Sequence, residues 1–189
     1  MESQINLANH FLIAMPNMDD ARFERSVILI CEHSKDGALG VVINSPLEVT
    51  YAELLGHLGH LGKNTQSFTL NEQILWGGPI ERDRGFVVHR EKGDWGATFT
   101  VSEQLYITTS QDILIAIADH KGPSDPIIAF GCARWYQGQL EEELADNVWL
   151  TMPASERILF DCPVGECWLS TAALMGVDFN LMPYEMGHA

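Results

Sequence analysis

The amino-acid sequence predicts an α+β fold: a single domain over residues 1–189 with a curved, largely antiparallel sheet and helices packed outside. Three observations lead there. Short apolar runs rich in Val and Ile, bounded by turn residues, read as strands rather than helices. An Asp36-Gly37 turn joins two of these runs, and Asp-Gly supplies the positive φ of a tight hairpin. Strands and helices also follow one another irregularly, unlike the strict alternation of a doubly wound parallel sheet.

Taken in order, 11–15 and 27–31 are continuous apolar strands, and the Ser34-Lys35-Asp36-Gly37 turn leads into a third at 39–43. Thr50 followed by Glu53 is a capping box, after which Leu54, Leu55, Leu58 and Leu61 mark one helix face. Residues 86–89, 97–101 and 105–108 read as further strands. In 97–101, Phe99 and Val101 alternate with Thr98 and Thr100, as on a half-buried strand. Thr109 with Asp112 suggests a second capping box before Ile113, Leu114 and Ile117. The apolar run 127–130 is a strand, 139–145 a short acidic helix, and 148–152 a strand ended by Pro153. Pro163 opens a last helix with Cys167, Trp168, Thr171 and Met175 on one stripe, and Gly176 closes it.

Composition narrows the function classes. The chain has 189 residues, 46% of them hydrophobic and 20% charged, which suits a packed core rather than disorder. Its formal net charge of −15 repels polyanions at long range. Arg82, Arg84, Arg90 and Lys92 are interleaved with Glu81, Asp83 and Glu91, so direct binding to duplex DNA is not expected. The first residues lack the charge and apolar pattern of a signal peptide, and no apolar run has membrane-spanning length. A cytoplasmic protein with reduced cysteines at 31, 132, 162 and 167 and no membrane association is the expectation.

No P-loop, Gly-x-Gly-x-x-Gly, Gly-x-Ser-x-Gly or His-Glu-x-x-His motif occurs, and no cofactor or metal is expected. Weaker constellations remain. Thr108-Thr109-Ser110 at a strand-to-helix junction could hold an anion or supply a Ser110 nucleophile, though a helix cap is the plainer use. Cys31 and His33, two apart on a strand, should share a face and could form an activated thiol or a metal half-site; packing is the simpler role. His57 and His60 lie on neighbouring helix turns but are too few to close a zinc site. Cys162 and Cys167 are too far apart for a zinc knuckle. The Trp76-Gly77-Gly78-Pro79 bend beside Arg82 and Arg84 could clamp a phosphate or serve only as a turn. Glu141, Glu142 and Glu143 could bind a divalent cation or form a solvated helix face.

The segments together resemble one family. The carriers are Leu12-Ile13-Ala14-Met15-Pro16, residues 20–27 and Cys31-Glu32-His33. They continue through residues 36–40, Val42-Ile43-Asn44, Gly77-Gly78-Pro79, residues 84–89, residues 138–144 and the tail Gly187-His188-Ala189. Their order is similar to that of the bacterial AlgH/YqgE family. The resemblance implies one α+β domain with a bifurcated sheet folded into a pseudo-barrel, in a family whose members are usually labelled uncharacterised or, after one connected with alginate production, transcriptional regulators. It carries no catalytic residues across. One departure is Arg134-Trp135, where the family tends to have Gly-Trp; a cation then stands beside any site built against that backbone.

The functional expectation is a regulatory or interaction protein that affects gene expression indirectly, rather than an enzyme. The alternative is a small-ligand-binding protein or enzyme with a polar pocket. Its candidate lining is Arg22, His33, Asn44, Arg84, Thr109 and Ser110, polar residues at strand ends and turns. The partner is then a protein or a small anionic ligand. Convergence of the six side chains would favour a pocket, and scatter an interaction protein.

Overall fold

The computed structural model describes residues 6–57, 59 and 73–182. The strands are β1 (His10–Ala14), β2 (Val27–Ser34), β3 (Gly37–Val42), β4 (Leu75–Trp76), β5 (Ile80–His89), β6 (Thr98–Ser102), β7 (Leu105–Thr108), β8 (Ile127–Tyr136) and β9 (Trp149–Pro153). The helices are α1 (Tyr51–His57), α2 (Gln111–Ala118), α3 (Gln139–Ala145) and α4 (Cys167–Leu174). One curled sheet runs β6-β7-β5-β8-β3-β2-β1-β9, antiparallel throughout except that β4 lies parallel to β8. The expected α+β architecture with a curved antiparallel sheet is therefore present.

Apolar clusters show how the sheet curls. One cluster, including Phe11, Leu29, Val41, Phe86, Ile107 and Ala129, runs continuously across both halves of the sheet and takes in Trp168, Ala172 and Phe179. That continuity marks the inside of the curl, and α4 closes it. The opposite face carries two separate clusters, as a convex surface must. Leu12, Ile28, Ile30 and Trp135 pack with Leu140 of α3. Val87 and Ile128 pack with Tyr51 and Leu55 of α1 and with Ile113, Leu114 and Ile117 of α2.

The sheet bifurcates along β8. Its C-terminal half pairs with β3 through Gly40↔Ala133 to Gly37↔Tyr136. Beyond Gly40 the two strands diverge, and residues 74–77 fill the gap. Trp76 N–H donates to Ser45 O at 2.7 Å, Val42 N–H to Gly77 O at 2.8 Å, and Gly77 N–H to Phe130 O at 2.7 Å. The Gly-Gly pair is needed for this wedge. A Cβ on Gly78, which has φ +153°, would stand 2.1 Å from the Cys132 carbonyl carbon. The 76–79 bend is thus a close backbone contact against β8.

Several predicted elements are longer or shifted. β5 begins at Ile80, so Glu81 to Arg84 are exposed strand residues rather than part of a bend, and β8 extends to Tyr136. The Thr50/Glu53 box forms, with Thr50 N–H on Glu53 Oε2 at 2.8 Å and Glu53 N–H on Thr50 Oγ1 at 3.2 Å. The second box does not: Ser110, not Thr109, is the N-cap of α2. His60, Leu58, Leu61 and residues 187–189 lie outside the described residues. Among the described residues no helix is long and apolar enough to cross a membrane.

Candidate functional site

Arg84 and Thr109 are the candidate pair that the fold joins directly. Arg84 Nη2 donates to Thr109 Oγ1 at 2.9 Å, and its Nη1 reaches Glu81 Oε1 at 3.2 Å. Glu81 also accepts from Arg134 Nη2 on Oε2 at 2.8 Å, so one carboxylate bridges two guanidinium groups. The hydrogen bond from Arg134 is the main reason the Glu81 carboxyl lies below its ordinary pKa; Arg84 adds to it. The same bond raises the pKa of Arg134. With Glu32, Phe86 and Phe99, the side chains of Arg84, Thr109 and Arg134 line a shallow hollow of about 350 Å³. Arg134 thus joins the site instead of blocking it.

Ser110 lies next to this hollow, but its hydroxyl is occupied. Ser110 Oγ donates to Asp112 Oδ1 and accepts from Ala97 N–H at 3.1 Å, while Asp112 Oδ2 takes Gly96 N–H at 2.7 Å. Burial tends to raise the Asp112 pKa. The bonds from Ser110 and backbone N–H groups outweigh it and leave the carboxyl lowered. The arrangement straps residues 96–97 to the start of α2. Three strands, β5, β8 and β3, separate β7 from the β2 strand that carries His33, and among the described residues no imidazole is bonded to Ser110.

His33 holds the N-terminal segment. Its Nδ1 accepts Leu7 N–H at 3.0 Å, so the ring proton sits on Nε2 and is donated to Glu141 Oε1 at 2.9 Å. The expected shared face with Cys31 does not occur. The register shifts between Ile30 and Glu32, leaving Cys31 as a bulged residue. Cys31 therefore packs inside the curl, while His33 points to Leu7 and α3 on the outer face. Burial pushes the Cys31 thiol well above its usual pKa, the reverse of an activated nucleophile.

Asn44 and Arg22 each have local partners. Asn44 accepts Val27 N–H at 2.8 Å and donates to Arg25 O at 2.9 Å, clipping the 21–26 loop to β3. Arg22 makes the planar two-bond pairing with Asp20, Nε to Oδ1 at 3.0 Å and Nη2 to Oδ2 at 2.7 Å. The six candidates thus divide among separate networks. Among the described residues, no cluster of three or more His, Cys, Asp or Glu side chains could hold a metal ion.

Of the six candidates, Arg22 alone lines a larger concavity. A cleft of about 600 Å³ opens between the 17–23 loop, Pro79-Ile80, β8, α3 and the start of β9. Trp135 and Trp149 meet edge-on at 6.3 Å, and Phe23 reaches Trp149 at 5.9 Å. Glu143 ties the aromatic wall together. Its Oε2 accepts Trp135 Nε1–H at 2.9 Å and Trp149 Nε1–H at 2.7 Å, and its Oε1 accepts Gln139 Nε2–H at 2.9 Å. Sequence reasoning missed this unit, although it had singled out Glu143 and Trp135 separately.

A family model described as AlgH-like matches residues 11–180. The chain is similar to a UPF0301 protein of Nitrosococcus oceani, 46% identical over 189 residues and covering 100% of both chains. It is also similar to the UPF0301 protein YqgE of Salmonella agona, 43% identical over 189 residues, covering 98% of this chain and 100% of the relative. The solution structure of the AlgH protein from Pseudomonas aeruginosa aligns with TM-score 0.77 and 41% identity, over 100% of this chain and 99% of that one. A crystal structure from Corynebacterium diphtheriae, 22% identical with TM-score 0.67, shares the fold over 98% of this chain and 92% of its own.

Proposed function

The chain belongs to the AlgH-like family, and from that premise we propose that it is a cytoplasmic interaction protein that alters gene expression indirectly, through a partner protein seated in the Trp135–Trp149 cleft. The single observation carrying this reading is the cleft itself. At about 600 Å³ it has the size of a binding site, and its aromatic wall is held rigid by Glu143. Scatter among the six polar candidates points the same way, since among the described residues these six do not bring a nucleophile, a base and oxyanion donors together.

Direct reading of DNA is disfavoured by charge. The formal net charge of −15 repels a polyanion at long range, and Arg22, Arg84, Arg90 and Arg134 are each tied to a carboxylate, Arg84 and Arg134 to the same one.

The test uses a deletion strain complemented with wild-type protein or with Asn17→Trp/Ile80→Trp, two exposed cleft positions. Transcript profiles should change on deletion, return with wild type and stay altered with the blocked variant. Full restoration by the blocked variant, or sequence-dependent DNA binding by the purified protein, contradicts the reading.

The second reading, a small-anion site, is favoured by one observation: Arg84, Arg134 and Thr109 crowd one hollow. Titration with inorganic phosphate separates it from the first. Binding lost in Arg84→Ala supports it, and no heat of binding removes it.

A further inference from the structure

We propose that the cleft recognises a basic segment of its partner protein, with a lysine or arginine side chain entering beside Glu143. This rests on the reading that the cleft is a protein-binding site, and adds the chemistry that fills it.

Charge within the cleft is unbalanced. Two cations line it, and each is already paired: Arg22 on Asp20 at 2.7 Å, and Arg134 at 2.8 Å on Glu81, which it shares with Arg84. Asp19, Glu143 and Asp146 also line it, and among the described residues none of these three makes an ion pair.

Glu143 is the informative member. A carboxylate can accept about four hydrogen bonds. Glu143 takes three, all from neutral donors, two indoles and one amide. Those donors fix its position without neutralising its charge. It is only half-buried, so its remaining lone pair can meet a ligand.

The aromatic wall suits the same ligand. Lysine and arginine have apolar stems that pack on rings and cationic heads drawn to ring faces. One such contact already exists at the rim, where the Arg22 guanidinium lies 5.7 Å from the Phe23 ring centre. The volume exceeds what one cationic head fills, which suits a stretch of polypeptide. The formal charge of −15 would also draw a basic segment in at long range.

The test titrates the purified full chain with a nine-residue peptide of alternating Lys or Arg and Gly-Ser spacers, read by calorimetry and tryptophan fluorescence. The control is the same peptide with acetylated lysines and citrullines. The basic peptide should bind at least tenfold more tightly than the control. Glu143→Gln, which keeps an acceptor for the indoles, should weaken it at least tenfold. Asp19→Asn/Asp146→Asn changes two exposed side chains outside the hydrogen-bond network and should weaken it several-fold with the melting temperature unchanged, so the proposal stays testable if Glu143→Gln folds poorly. Equal affinity for both peptides, no binding, or binding of spermidine but not of the peptide overturns it. If the basic peptide fails while Asn17→Trp/Ile80→Trp still fails to complement, only the ligand chemistry is wrong. If that blocked variant complements fully, the cleft reading itself falls.

Discussion

His33 Nε2 meets Glu141 Oε1 at 2.9 Å, joining the end of β2 to the first turn of α3 across 108 residues of sequence. Because Nδ1 simultaneously receives Leu7 N–H, one imidazole joins three segments. The His33 side chain is 3% exposed and that of Glu141 47%, so the Glu141 bond opens to water and the Leu7 bond is the better shielded of the two. An unpaired polar group there carries a desolvation cost.

His33→Ala should therefore lower stability by about 1–3 kcal/mol, the range for leaving buried partners unpaired. Exchange of the Leu7 amide should accelerate more than that of β1 amides. Glu141→Gln still accepts from Nε2 and should cost clearly less. Urea denaturation with hydrogen exchange read by NMR checks the order, and equal losses in the two variants contradict it.

Gly78→Ala should be severely destabilising, by roughly 3 kcal/mol or more, since it combines strained backbone with overpacking. The new Cβ would meet backbone on β8 at 2.1 Å, and backbone cannot rotate aside as a side chain can. Gly165, where an added methyl would have nothing within 4 Å, is the matched control and should tolerate Ala. Thermal melts of the two variants decide it, and a mild effect at Gly78 would mean that the 74–77 wedge can lift from β8.

Arg22→Ala should leave stability almost unchanged, despite the two-bond geometry of the Arg22–Asp20 pair. The arginine side chain is 59% exposed, so water and salt screen the pair. A clear fall of the urea midpoint would show that the pair anchors the loop more strongly than its exposure implies.

These residues also show how far the sequence could be read. Apolar runs mark the strands well because burial on both faces leaves a continuous signal, as in β2 and β3. The charged half of β5 was missed because Glu81 to Arg84 carry no apolar alternation; they form an irregular stretch of the strand between the β8 pairings Ile80↔Cys132 and Gly85↔Phe130. The face of His33 was misread because a bulge at Cys31 adds one residue, and a period of two then inverts every later side chain. Thr109 and Ser110 are equally good caps by type, and only the tertiary bond from Arg84 shows that Thr109 is used elsewhere. Glu143 joins Trp135 and Trp149 from eight residues after one and six before the other, a spacing that has meaning only once α3 folds back on β8.

The remaining prediction concerns pH. His89 is fully buried between β5 and β7, edge-on to Trp95 at 5.0 Å and stacked near Tyr106 at 5.9 Å. Its Nδ1–H donates to Glu91 O at 2.9 Å, and its Nε2 accepts from Thr108 Oγ1–H at 2.8 Å. Thr98 Oγ1 in turn lies 2.6 Å from Thr108 Oγ1. Protonating Nε2 would leave the Thr108 hydroxyl proton without this acceptor, and burial opposes the charge. Burial, the larger effect, therefore holds the His89 pKa below its ordinary value of 6.5, with Glu91 opposing in part. A lowered folded-state pKa means that the unfolded chain takes up the proton first. The neutral ring's full contribution is present above about pH 6.5 and is progressively lost as pH falls below it, until the folded ring itself protonates. The slope from this group cannot exceed about 1.4 kcal/mol per pH unit. Urea midpoints of wild type and His89→Gln between pH 5 and 8 isolate it, because the other histidines contribute equally to both. The variant should be less stable at pH 8 and show a shallower decline toward pH 5; parallel curves would mean that His89 protonates as readily in the fold as in the unfolded chain.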